Sequence, residues 1–238
     1  MAFCTMVFFS QLITVYLLGV ILFGLFPFSE KRRLWFRSYQ QRLFLFDFHH
    51  IPCVRFSVEG ITNETFSPSI VISNHQSMLD AALFMALSPK AILVSNKKVS
   101  SNLIIKKIFK WNGFITLNDM NSIDDSLIKY YVTNGYSLVI FPEGVRNAHS
   151  SIRRFHKGAF LLAEKYQLDI QPFIIHGLNM VLPRNSIQVF PGQITVKAYQ
   201  RIRNEAQLSY AELTSQTCDF YRQEYARIAR KIETAAYY

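Results

Sequence analysis

A histidine and an aspartate stand five residues apart directly after a short apolar run, within the segment SNHQSMLD at 73–80. On one continuous helix this separation would place the two side chains roughly 140° apart. If His75 lies in a turn and Asp80 in the first turn of the next helix, the carboxylate can reach back to the imidazole. A carboxylate bonded to one ring nitrogen stabilises the imidazolium while the other nitrogen takes a proton. The spacing therefore predicts His75 as a general base and Asp80 as its partner.

Asp80 also has a purely structural interpretation. Ser77 and Asp80 have the spacing of a capping box, in which the acid accepts a backbone N–H at the start of a helix. The apolar run SIVIS before His75 is typical of a buried strand, and ligands of open α/β sheets gather at the carboxyl ends of strands. This position favours a functional histidine, and both roles of Asp80 stay open.

A second polar turn follows another apolar strand pattern, in the segment SLVIFPEGVRN at 137–147. Its proline and glycine force the chain to turn just past the strand. The turn presents Glu143 and Arg146, a pair suited to a polyhydroxy or phosphorylated ligand. A surface turn with an incidental ion pair is the alternative.

Short apolar runs alternate with helical patterns after Pro52, which favours an α/β fold. We predict a mixed, largely parallel sheet of about seven strands covered by helices. The predicted strands are 54–59, 69–73, 91–95, 114–117, 137–141, 170–176 and 194–199. The predicted helices are 78–87, 101–110, 121–134 and 155–166, followed by a long helix over 210–237.

The first 28 residues contain 21 hydrophobic residues and no charged side chain, enough for a helix that crosses a bilayer. The basic cluster at 31–33 then predicts that the following chain lies on the cytoplasmic side. The aromatic and basic stretch 34–50 fits a helix in the headgroup region or a helix packed in the core. We therefore divide the chain into a membrane-associated helical segment, 1–50, and a folded domain, 51–238.

Charge is unevenly distributed in this basic chain of 238 residues, which carries a formal net charge of +10. Six lysines and no acid lie between positions 81 and 118; we call this group the lysine patch. It comprises Lys90, Lys97, Lys98, Lys106, Lys107 and Lys110. Such a patch attracts anionic lipid or an acidic carrier, or it is a solvated helix face. No nucleic-acid motif and no metal-ligand spacing accompany it.

The two polar turns together form a specific pattern: N-H-x-x-x-x-D, followed some sixty residues later by F-P-E-G-x-R. This ordered pair resembles the glycerolipid acyltransferase family, whose common member is 1-acylglycerol-3-phosphate O-acyltransferase. Weaker resemblances fall in the family's order at 113–119 (GFITLND), 154–160 (RFHKGAF) and 170–175 (IQPFII). The resemblance identifies 51–238 as an acyltransferase domain.

This resemblance implies transfer of an acyl group from acyl-CoA or acyl carrier protein to a lipid hydroxyl, in phospholipid biosynthesis at the membrane. His75 would deprotonate the acceptor hydroxyl and Asp80 would orient the imidazole. Glu143 and Arg146 would hold the acceptor head group, and Gly144 would allow close backbone approach. No bound cofactor is implied, because the acyl donor is a substrate.

One departure from the family bears on the acceptor. Asp119 stands where the family has an arginine that binds the acceptor phosphate. Lys97, Lys98 or Lys157 would then supply the missing charge, with Arg154 as a further candidate. The acceptor is expected to be 1-acylglycerol-3-phosphate; the alternatives are another lysolipid or an amino-acid lipid, or hydrolysis of a thioester or lipid.

Overall fold

The computed structural model describes residues 2–26, 28–52, 54–96, 103–117, 124–147, 151–203 and 208–235. Lys97, Lys98 and Asp119 lie outside the described residues. The helices are α1 (Ala2–Gly24), α2 (Glu30–His50), α3 (Leu79–Leu87), α4 (Leu103–Asn112), α5 (Asp125–Thr133), α6 (Gly158–Tyr166), α7 (Leu178–Val181) and α8 (Tyr210–Ala235). The strands are β1 (Val54–Glu59), β2 (Ile70–Ser73), β3 (Ala91–Asn96), β4 (Ile115–Leu117), β5 (Ser137–Ile140), β6 (Ile170–His176) and β7 (Gly192–Ala198).

The strands form one seven-stranded sheet in the order β1-β7-β6-β2-β5-β3-β4. Every neighbouring pair is parallel except β6 and β7, which are antiparallel. This confirms the predicted fold class, and each predicted strand agrees with the structure to within two residues at either end. The single-turn helix α7 was not predicted.

The central strands are buried on both faces, which explains their unbroken apolar sequences. Every residue of β2 and β6 is buried. Helices cover both sides of a mostly parallel sheet, so its strands lack the alternation of a half-exposed strand. Because β2, β5 and β6 run parallel in register, their carboxyl ends meet at one edge of the sheet. His75 and Glu143 follow two of these ends.

Helix α1 packs against α2 and α4. Its residues 5–24 are long and apolar enough to cross a membrane, and about a fifth of that window is buried by the rest of the chain. Near its carboxyl end, Tyr16 and Phe23 contact the indole ring of Trp111 on α4. Near its start, the Thr5 hydroxyl accepts a hydrogen bond of 3.0 Å from the backbone N–H of Val189.

Helix α2 packs in the core along one part of its surface, and its location in the headgroup region stays a prediction. Phe36 and Phe44 are buried in the core, whereas Trp35 and Phe46 are more than half exposed. Arg37 is buried and fastens the helix to the domain through a cluster of hydrogen bonds. Its guanidinium donates to the Asn112 carbonyl oxygen, the Glu30 carboxylate and the Tyr136 hydroxyl. The division of the chain at residue 50 stays a prediction.

Candidate active site

The predicted contact between His75 and Asp80 is present. Strand β2 ends at Ser73 and α3 begins at Leu79, so His75 lies in the turn and Asp80 in the first helical turn. Nδ1 of His75 lies 2.6 Å from Oδ2 of Asp80. The same oxygen accepts the backbone N–H groups of Gln76 at 2.6 Å and Ser77 at 3.0 Å. The fully buried carboxylate therefore both shapes the turn and holds the imidazole.

The surroundings of His75 determine which ring nitrogen is available. A carboxylate can only accept, so Nδ1 carries the proton in this contact and Nε2 is left as the proton acceptor. The ring also stacks on Phe141, with 4.3 Å between centroids and 17° between planes. About a fifth of the His75 side chain is exposed, which leaves a path for a substrate. The arrangement suits proton abstraction from a bound hydroxyl group.

Glu143 contacts the main chain of His75 and is almost fully buried. Its Oε1 accepts the backbone N–H of His75 at 3.1 Å, and its Oε2 accepts the backbone N–H of Arg153 at 3.2 Å. Burial raises the pKa of this carboxyl above its ordinary value. The next bond in the same turn joins the Asn147 N–H to the His75 carbonyl oxygen at 2.7 Å. The two polar turns are thus bonded directly to each other.

The remaining predicted substrate-binding residues line the same turn or the segment beside it. Gly144 is exposed, with φ at +68°, and a Cβ there would lie 3.1 Å from the His156 ring. Arg146 is partly exposed and Lys157 is exposed. The Lys157 ammonium lies 5.3 Å from the centroid of the Tyr210 ring. The backbone N–H of His156 donates to the Pro142 carbonyl oxygen at 2.7 Å, so this segment packs on the turn.

Sequence reasoning missed three residues that hold the His75 turn. The Asn74 amide bonds both the N–H and the carbonyl oxygen of Ile175, each at 2.8 Å, and so ties the turn to β6. Gln76 bonds α7 and α8 through its side chain. Phe141 supports the imidazole. Phe141 and Asn74 lie inside the two motifs, and this position could have indicated their role.

No three His, Cys, Asp or Glu side chains within the described ranges are grouped so as to hold a metal ion. The polar side chains at this edge of the sheet include the His75 imidazole, the two buried carboxylates and the nearby cations.

A mostly parallel α/β sheet with a hydrogen-bonded His–Asp pair at the carboxyl end of a strand has the arrangement of a general acid–base enzyme. The comparison with known families assigns it further. Residues 55–176 match the model of the family described as Acyltransferase, and the chain belongs to that family. This confirms the resemblance drawn from the two motifs.

Two relatives and one solved structure extend the comparison. A 1-acyl-sn-glycerol-3-phosphate acyltransferase of Cocos nucifera is 29% identical over 147 residues, covering 58% of this chain and 46% of the relative. The alpha form of Homo sapiens is 26% identical over 182 residues, covering 69% and 60%. The chain spans about half the length of the relatives that it matches.

The solved structure is that of the 1-acyl-sn-glycerophosphate acyltransferase from Thermotoga maritima. It superposes with a TM-score of 0.76 and covers 96% of this chain and 95% of its own, at 17% identity. At that identity the likeness establishes the fold.

Proposed function

We propose that this chain is a membrane-associated O-acyltransferase that moves an acyl group from acyl-CoA or acyl carrier protein to a lysolipid hydroxyl. The preferred acceptor is 1-acylglycerol-3-phosphate, the substrate in the names of its relatives. The observation that carries the proposal is the 2.6 Å contact between His75 and Asp80. It leaves Nε2 of a fixed, partly exposed imidazole as the base.

In this mechanism Nε2 of His75 takes the proton of the acceptor hydroxyl as its oxygen attacks the thioester carbonyl carbon. Asp80 stabilises the imidazolium that forms. The tetrahedral intermediate collapses, the carbon–sulfur bond breaks, and the imidazolium returns its proton to the departing thiolate. The products are an ester and a free thiol. General-base assistance of this kind contributes about 10²–10⁴-fold, and holding the two substrates together contributes the rest.

The acceptor head group is assigned to the turn after β5 and the segment beside it. Arg146 and Lys157 are accessible cations there, as are Arg153 and Arg154, and a guanidinium suits bidentate contact with a phosphate. Gly144 lets a ligand approach the backbone. Glu143 fits a positioning role better than direct contact with the head group, because both of its oxygens accept backbone N–H groups.

Three predictions on the acceptor lie outside the described residues and stay part of the proposal. Lys97 and Lys98 are further candidate phosphate contacts. Asp119 opposes a phosphate if it faces the site, which keeps another lysolipid or an amino-acid lipid as the alternative acceptor. A hydrolase of thioesters or lipids is the alternative reaction, with water in place of the alcohol.

Membrane association is supported by two neighbouring helices. Helix α1 offers an apolar stretch with several exposed aliphatic side chains. Helix α4 exposes 76% of Leu103 and 55% of Ile104, and Lys106, Lys107 and Lys110 of the lysine patch are exposed on the same helix. Helix α4 leads from the end of β3 to the start of β4, so its first turn lies toward the edge of the sheet that carries His75.

A bilayer that contacts the exposed surface of α4 would present lipid acceptors beside the site. The positive-inside rule would put the domain on the cytoplasmic face.

The deciding experiment supplies the purified full chain with labelled acyl-CoA or acyl carrier protein and a panel of lysolipids in mixed micelles. We expect a new ester, formed fastest with 1-acylglycerol-3-phosphate, and its loss in His75→Ala without loss of the folded state. Unchanged ester formation in that variant contradicts the mechanism. Release of free thiol without any acceptor supports the hydrolase instead.

Arg146→Ala tests the head-group assignment. We expect its KM for the acceptor to rise about tenfold or more, the value of one charge-assisted contact, while KM for the acyl donor changes little. Arg222→Ala, which removes an exposed guanidinium from α8, is the matched control. A selective change in donor KM overturns the assignment.

A further inference from the structure

The C-terminal helix α8 lies beyond the residues that match the family model, yet it bonds directly to the His75 turn. Nε2 of Gln76 lies 2.8 Å from the hydroxyl of Tyr225 on α8. Oε1 of the same amide accepts the backbone N–H of Leu178 on α7 at 3.1 Å. A backbone N–H can only donate, which fixes the amide so that its Nε2 donates to the tyrosine hydroxyl. All three groups are buried.

Gln76 stands between the histidine and its carboxylate partner. It follows His75 directly, and its own backbone N–H donates to Oδ2 of Asp80 at 2.6 Å. That oxygen is the one that contacts Nδ1 of His75. A displacement of Gln76 therefore moves the atom that orients the imidazole. The side chain of Gln76 is anchored at one end by α7 and at the other by Tyr225.

Tyr221 offers a natural comparison, because it lies one helical turn before Tyr225 and is also buried. Its hydroxyl donates to the Ile72 carbonyl oxygen at 2.8 Å and accepts the Phe173 N–H at 3.1 Å. It thus joins β2 to β6 within the sheet. Tyr225 reaches past the strand ends, where its ring also lies 5.2 Å from that of His176.

We propose that Tyr225 is a positioning residue, which acts through Gln76 to hold Asp80 and His75 in their reactive geometry. The expected effect on kcat rests on the proposed function. The expected effect on the geometry of His75 and Asp80 rests on the hydrogen bonds alone. Tyr225→Phe keeps the ring and removes the acceptor of the Gln76 amide. The buried N–H group must then move or remain unpaired.

The test compares Tyr225→Phe with Tyr221→Phe in the full chain. We expect Tyr225→Phe to lower kcat about tenfold with little change in the acceptor KM, since small misplacements of reacting groups are costly. Tyr221→Phe should lower the midpoint of thermal unfolding and leave kcat of the folded enzyme within about twofold. Equal kcat values in the two variants overturn the proposal.

A spectroscopic measurement separates this proposal from the proposed function. In ¹⁵N-histidine-labelled protein, the Nδ1 proton between His75 and Asp80 should give a low-field resonance that His75→Ala removes. We expect Tyr225→Phe to shift or broaden that resonance and Tyr221→Phe to leave it in place. A resonance that is unmoved in both overturns the positioning role, whether or not the protein transfers acyl groups.

A double-mutant cycle supplies the final check. If Tyr225 acts through Gln76, then Tyr225→Phe has no further effect on kcat or on the resonance in a Gln76→Met background. Additive losses mean that the tyrosine acts by another route and contradict the proposal. The Gln76→Met variant alone also tests the role of the amide if Tyr225→Phe does not fold.

Discussion

The indole ring of Trp111 covers Gly19 so closely that no side chain fits between them. A Cβ at Gly19 would overlap the six-membered part of the ring, and Tyr16 and Phe23 contact the same indole. At the other end of α1, Thr5 bonds the backbone of Val189. A helix fastened to the domain near both ends lies along its surface. We therefore expect α1 to stay packed against the domain when the protein is bound to a bilayer.

Gly19→Ala tests this packing, and Gly24→Ala is its matched control. The methyl group at position 19 meets the indole ring, so we expect a loss of about 1–3 kcal/mol in unfolding free energy. A Cβ at position 24 meets nothing within 4 Å, so alanine there should be neutral or stabilise by up to about 1 kcal/mol. Denaturant unfolding in detergent micelles measures both. Equal effects would contradict the close contact.

Asp80→Asn should reduce kcat by about 10²–10⁴-fold. The amide oxygen of asparagine can still face the three donors that contact Oδ2, but it stabilises the imidazolium less than a carboxylate does, and its bonds to the backbone lose their charge assistance. Because Asp80 also accepts two backbone N–H groups, we expect stability to fall by about 1–3 kcal/mol as well. Rates are therefore compared well below the unfolding temperature. Asp219→Asn, an exposed position on α8, should change neither value, and a normal kcat in Asp80→Asn would remove the carboxylate from the mechanism.

Glu143→Gln separates two roles for the buried carboxylate. Glutamine can accept only one of the two backbone N–H groups, so the His75 main chain or the Arg153 segment must shift. A positioning role predicts kcat lowered about tenfold with little change in the acceptor KM. Direct contact with the head group predicts a raised acceptor KM at unchanged kcat. Steady-state kinetics with varied acceptor decides between them.

The exposed start of α4 predicts a membrane contact that can be removed without touching the site. Replacing Leu103 and Ile104 together by serine should lower partition onto anionic vesicles by about 10²-fold, given roughly 1.5–3 kcal/mol for each buried aliphatic side chain. Ile61→Ser is the matched control, because β1 ends at the opposite edge of the sheet. Vesicle flotation measures the partition. Equal partition of all three proteins would exclude this surface.

The lysines of α4 supply a second, separable contribution. Lys106→Gln should weaken binding to anionic vesicles about fivefold at low salt and leave binding to neutral vesicles unchanged. Lys129→Gln, on α5, is the control of equal charge. Loss of binding to neutral vesicles in Lys106→Gln would mean that the change has disturbed the helix itself.

The strands and the His–Asp contact could be predicted because each depends on neighbouring residues. An apolar run such as 170–176 must be buried, and polar residues directly after a strand must lie at its carboxyl end. The contact between Gln76 and Tyr225 joins residues 149 positions apart, and only the packing of α8 brings them together. The bond from Arg37 to Tyr136 also depends on long-range packing, in this case of α2 against the residue that precedes β5. The polarity of these side chains does not indicate which distant residue each of them contacts.

Helix α2 was ambiguous for a different reason. Its aromatic side chains serve both faces, with Phe36 in the core and Trp35 exposed, so no single apolar stripe marks its buried side. Composition cannot distinguish a core helix from an interfacial one when both environments accept aromatic rings. The sequence did not predict that Asp47 on this helix is buried.

Asp47 gives the chain a predictable dependence of stability on pH. Burial raises the pKa of its carboxyl to about 6, opposed by a hydrogen bond from Gln11, while the ordinary value is 3.8. Between these values the folded state binds more protons than the unfolded state. The stability linked to Asp47 is therefore fully present below about pH 4 and is lost as the pH rises through 6.

Asp47→Asn should remove this loss. Asparagine can still accept the bond from Gln11 but never ionises, so we expect the variant to equal the parent near pH 4 and to exceed it at pH 7.5 by at most about 3 kcal/mol. Asp125→Asn is the control, because the stability linked to Asp125 depends on pH in the opposite direction. Hydrogen bonds from Lys165 and Tyr166 lower the pKa of Asp125, so any stability it gives is present at neutral pH and lost in acid. The measurement is the unfolding free energy of each protein at pH 4 and at pH 7.5. If parent and Asp47→Asn differ by the same amount at both pH values, ionisation of Asp47 is not the cause of the difference.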